Sequence, residues 1–199
     1  MKRDDKGKLI FVPSSQTEPF SNRIRTKNIV WENKCLLINC AYIKGHLITD
    51  KDSNIISYKY IPNSLTKSVI LNQQEIIISK EHKIDLEKIN VIPEYNCFGF
   101  SFADSEYIIS DVSQLIRDEY ELCNKDDAQF VLLKEFSGIG DNGNEIIGYC
   151  HSININTDKT ISYKKGHMNL CVNQKYDTFS ADYNFNQKEF IRRKNQRPQ

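Results

Sequence analysis

Glycine and proline are scarce in this 199-residue chain, at 8 and 5 residues, while 39% of it is hydrophobic and 27% charged, so collagen-like and disordered readings are excluded. Long hydrophobic runs are also missing. The stretches 9–12, 69–71 and 76–78 fall far below the roughly 20 apolar residues of a membrane helix, and no membrane span is expected. The 9–12 run is too short for the apolar segment of a signal peptide, so no export signal is expected and the chain reads as cytoplasmic as made. An excess of one charge is absent as well. With 27 Lys+Arg against 26 Asp+Glu the net charge is +1, which gives no global attraction for nucleic acid or anionic lipid, and no nucleic-acid partner is expected. The six cysteines, Cys35, Cys40, Cys97, Cys123, Cys150 and Cys171, contain no C-x-x-C pair, and a chain of this length needs no disulfide to fold, so reduced thiols are expected. No phosphate-cradling glycine loop and no internal repeat is present.

What is present reads as an α+β protein in two parts. Residues 1–30 are polar and basic and read as a leading arm; 29–92 are rich in isoleucine and strand-like, with IVWENKCLLINCAYI, ISYKYI, SVIL and EIIIS separated by polar turns. From residue 93 the texture changes. Pro93 ends an apolar segment, and Asn96 is placed to cap a short helix that begins at Cys97. A second, amphipathic helix is expected over 110–123, with Val112, Leu115, Ile116 and Tyr120 on its apolar face. Then come strands in DDAQFVLLKEF and IIGYCHSININ, a tight turn at TDK, and a hairpin partner in TISYKKG. The tail KEFIRRKNQRPQ reads as an exposed, solvated terminus. The boundary is drawn between a β-rich segment, 1–92, and a core with a basic tail, 93–199.

Two residues in the second part carry a possible chemistry. Strand alternation sets His151, Ile153 and Ile155 on one face and Ser152, Asn154 and Asn156 on the other, so His151 points inward, where an imidazole needs a partner or a task. Cys97 stands in the first turn of its helix, where free N–H groups and the positive end of the dipole favour a thiolate. Helical Cys followed by inward strand His is the order that a nucleophile and its base require. Other readings fare less well. Gly99–Ala103 fits the G-x-S-x-A form of a serine elbow around Ser101, but Pro93 and antiparallel neighbours argue against the preceding buried strand such an elbow needs. Cys150, His151, His167 and Cys171 could meet around zinc only if adjacent residues 150 and 151 pointed the same way, and Cys35, Cys40 and His46 are weaker still. Asp126, Asp127 and the loop 141–144 raise a reading as calcium ligands or paired carboxylates, but turn chemistry explains the loop better. No metal and no cofactor is expected.

The stretch YNCFGFSFAD, the helix after it, the DDAQFVLL strand, CHSINI and TISYKKG together resemble the NlpC/P60-type papain-like cysteine hydrolases over about residues 93–170. The family's D-C-S-G-F motif is matched by Asn96, Cys97, Phe98, Gly99 and Phe100. The resemblance implies a papain-like core of helices and antiparallel sheet, with Cys97 as nucleophile and His151 as general base and acid. Its third, orienting residue falls on Tyr163, where the family has His, Asn or Gln, with His167 as a spare. It further implies amide hydrolysis of a peptide or cell-wall peptide substrate by an endopeptidase or amidase. Without an export signal, such an enzyme fits an antibacterial effector toxin delivered by a specialised secretion system and held in check by a cognate immunity protein. Two alternatives stand beside it: a deamidase or acyltransferase toxin acting on proteins, and a catalytically silent binding module.

Overall fold

The computed structural model describes residues 1–25, 35–71, 74–76, 92–139, 144–164, 170–175 and 187–194. Twelve strands and two short α-helices are assigned there, and every strand pairing is antiparallel. The architecture is α+β with strands predominating. No helix among the described residues is long and apolar enough to cross a membrane.

The first sheet is organised by one long strand. β1 (Phe11–Arg25) lies along one edge of β2 (Cys35–Ile48), whose other edge is shared by β3 (Asn54–Tyr60) and β4 (Thr66–Leu71), with β5 (Gln74–Ile76) outside β4. β3 shows the expected alternation: Ile55 and Ser57 are buried while Ile56 is 54% exposed. Gly45 in β2 is required by close packing, because a Cβ there would lie 2.4 Å from the Val12 carbonyl oxygen and against the Phe11 ring.

α1 (Cys97–Phe102) follows, then β6 (Tyr107–Ile109), α2 (Ser113–Glu119) and β7 (Tyr120–Leu122). β8 (Phe130–Ile139), β9 (Glu145–Ile155), β10 (Ile161–Lys164), β11 (Leu170–Gln174) and β12 (Gln187–Arg193) complete the chain. The second sheet runs β11-β10-β9-β8-β12-β7. One core cluster joins both sheets to both helices, through Leu47, Ile55, Phe98, Leu115, Leu132 and Ile191; a second, on the far side of β8 and β9, gathers Val131, Leu133, Ile153, Ile161 and Tyr163.

Several sequence expectations are revised by this arrangement. The leading segment is no arm: Met1 and Leu9 lie in the first core, and β1 pairs along β2. The basic tail is no loose terminus over its described part. β12 is inserted between β8 and β7, and Ile191 is fully buried, since Phe190 and Ile191 supply enough apolar surface once flanked by two strands. The helix expected over 110–123 stops at Glu119, because Tyr120–Leu122 becomes a strand on β12 and Tyr120 packs edge-on against Phe102 and Phe130. The division at 92/93 is crossed by β6, which pairs with β3, and by the shared core.

Candidate functional site

Cys97 opens α1 as the sequence suggests, and Asn96 is its cap. The Asn96 side-chain oxygen accepts from the Gly99 N–H at 2.9 Å and from the Ile109 N–H at 3.2 Å, while its amide donates to the Ile109 carbonyl at 2.8 Å. The same residue thus caps the helix and ties it to β6. Gly99 has a steric reason: a Cβ there would come within 1.7 Å of the Tyr107 carbonyl oxygen, so only glycine lets α1 seat on β6. Two of the motif's residues are therefore needed for packing.

Polar contacts then fasten α1 to β9. Ser152 Oγ donates to the Cys97 carbonyl at 2.9 Å, and Ser101 Oγ lies 2.9 Å from Ser152 Oγ and 2.5 Å from Asn154 Oδ1. Ser101 is thereby part of a seam inside α1, and no strand is assigned over 92–96 before it, as a serine elbow would need. Lys164 is fully buried nearby; its Nζ donates to the Ile92 carbonyl at 3.1 Å and lies 5.0 Å from the centre of the Tyr95 ring. Burial pushes the Lys164 amine down to about 8. Cys97 itself is 7% exposed, and burial pushes its thiol up, opposed by hydrogen bonding from Ser152 and Phe98. The dipole of a six-residue helix does not outweigh that desolvation.

His151 lies on the other side of the sheet. In the β8–β9 register Leu132 is opposite Ser152 and Leu133 opposite His151, so Ser152 faces α1 and His151 faces the second core. There its ring meets that of Tyr163 nearly edge-on, with centroids 6.0 Å apart and planes at 78°. Burial pushes the imidazole down to about 4. The structure brings His151 and Tyr163 together and leaves Cys97 across the sheet from both. His167 lies outside the described residues.

Cys150 departs from simple alternation. A bulge between Leu133 and Lys134 lets it pack against the same cluster that His151 faces, with Sγ 3.3 Å from the Leu133 carbonyl oxygen and its thiol pushed up to about 11 by burial. Residues 150 and 151 therefore do not diverge as strict alternation, and with it the case against zinc, requires. The side chains of Cys35 and Cys171 and the loop segment 141–143 lie outside the described residues, among which no group of three or more His, Cys, Asp or Glu is placed to hold a metal. Asp126 and Asp127 sit exposed in a single 3-10 turn, with Arg192 4.0 Å from Asp127.

A different feature was not legible in the sequence. Between α2 and the α1-side face of the second sheet lies an open cleft of about 380 Å³. Lys134, Tyr149 and Glu189 form its floor: Lys134 pairs with Glu189, and the Tyr149 hydroxyl donates to the other Glu189 oxygen at 2.8 Å. Burial and then Glu189 push the Tyr149 phenol up, so it remains a donor at neutral pH. Arg117 stands at the wall, donating to Gln114 at 2.7 Å and making no ion pair among the described residues. Leu122 and Ile147 also line the cleft and are 67% and 38% exposed. The floor residues come from three strands, with Glu189 40 residues beyond Tyr149, so no local spacing announces them. One signal was there: Lys134 interrupts the apolar FVLL run, on the same face as Leu132. Comparison with protein-family models, with curated proteins and with solved structures finds no match to this chain.

Proposed function

We propose that the chain is a binding module in which Cys97 and His151 serve the fold. The observation that carries this reading is their separation: Cys97 opens α1 against one face of β9, and His151 packs against Tyr163 on the other, each in a setting that favours its neutral form. A Cys/His nucleophile and base need hydrogen-bond reach between thiol and imidazole. The test is incubation of the purified chain, and of Cys97→Ala, with bacterial sacculi and with amide-bearing protein substrates, read by mass spectrometry. The expected result is no Cys97-dependent product; product formed by the wild type and lost in Cys97→Ala would overturn the reading.

A second reading keeps the papain-like, NlpC/P60-type hydrolase, and with it the antibacterial toxin that cleaves a cell-wall peptide, delivery into a target cell and an immunity partner. The deamidase or acyltransferase alternative shares the same core. Two observations favour this reading: Cys97 at the first position of an Asn96-capped helix packed on the His-bearing strand, and contact between Tyr163 and His151. It requires β9 to slip by one residue, which would turn His151 to the α1 face.

A further inference from the structure

We propose that the cleft between α2 and the second sheet binds an extended peptide segment carrying a carboxylate side chain close to an apolar one. This deepens the binding-module reading and rests on it.

Charge decides the first half. Both oxygens of Glu189 are taken, one by Lys134 and the other by the Tyr149 hydroxyl, so the acid of the cleft is neutralised within its own floor. Arg117 is left as the cation without an acidic partner among the described residues, and its side chain is exposed at the wall. A guanidinium in that position suits a carboxylate, which it can hold through two parallel hydrogen bonds.

Shape and exposure decide the second half. Leu122 and Ile147 flank the charged floor and leave 67% and 38% of their surface in solvent. The volume of about 380 Å³ lies at the lower end of ligand sites, enough for one or two side chains. The apolar surface does not stop at the cleft. Ile139 pairs with Glu145, two residues from Ile147 on β9, which sets Ile139 on the same face, 69% exposed. A strip that outruns the cavity along β8 and β9 fits a length of chain better than a compact small molecule.

The test is selection from a displayed library of random short peptides on the immobilised whole chain, followed by titration of a selected synthetic peptide. The expected enrichment is Asp or Glu within a few positions of Leu, Ile or an aromatic residue. Arg117→Glu is expected to weaken the selected peptide at least about tenfold, as is Leu122→Ser, with thermal stability little changed because both side chains are exposed. Exchanging the peptide's acid for lysine should restore binding to Arg117→Glu. No enrichment, enrichment of sequences lacking an acid, or binding indifferent to both substitutions would overturn the proposal. Incubating the same preparation with sacculi separates the two failures: Cys97-dependent product sinks the binding-module reading, whereas an inert chain that ignores acidic peptides sinks the ligand class alone.

Discussion

The two faces of β9 differ in what they do with polar groups. On the α1 side, Ser152 and Asn154 meet Cys97 and Ser101 through hydroxyl and carbonyl oxygens, and Lys164 lies buried nearby with its amine on a backbone carbonyl. On the other side, His151 and Ile153 face a cluster built from Val131, Leu133, Ile161 and Tyr163. On β9 itself, one face offers hydrogen-bonding side chains to α1, and the other packs into an apolar cluster. Neighbouring positions of one strand can thus each hold a chemically capable group without joining them. Burial sets the protonation of both: the thiol is pushed up and the imidazole down, so each stays neutral at neutral pH.

The apolar face should be the more sensitive of the two to substitution. Ile153 is fully buried, so Ile153→Ala should cost about 2–5 kcal/mol in denaturant unfolding, a loss no single hydrogen bond on the α1 face should match. Acid should act next, through His151. Its folded value of about 4 lies below the ordinary 6.5, so between those two pH values the unfolded chain binds more protons. The contribution of His151 to stability is therefore complete above 6.5 and is lost as pH falls towards 4, by about 3 kcal/mol. His151→Met should flatten that slope in unfolding curves taken across the window; an unchanged slope would mean that another group titrates.

The α1 face gives smaller effects. Asn96→Ala removes the cap and both ties to Ile109, and should cost about 2 kcal/mol, read by thermal unfolding. Ser152→Ala removes the bond to the Cys97 carbonyl and the contact with Ser101 Oγ, and should cost about 1 kcal/mol. Equal losses from Ser152→Ala and Ile153→Ala would erase the distinction between the faces.

Legibility followed the range of the forces. The cap at Asn96, the helix start at Cys97 and the inward turn of His151 rest on neighbouring residues, and all three are found where local pattern puts them. The short extent of α2 was hidden because Tyr120 leaves the helix to join β12, some 70 residues on in sequence. The role of Gly99 was equally hidden, since it answers to the Tyr107 backbone and to no neighbour in the chain. Alternation told which side His151 occupies relative to Ser152, but not which side α1 would cover. That choice of face decides whether Cys97 and His151 can meet, and it is made by tertiary packing.

The separation of Cys97 from His151 is tested by the rate at which iodoacetamide labels each cysteine between about pH 5 and about pH 9, read by mass spectrometry in wild type and in His151→Ala. Cys97 is expected to be labelled slowly at neutral pH, at a rate that does not respond to loss of His151. Rapid labelling of Cys97 near neutrality that slows when His151 is removed would contradict that separation.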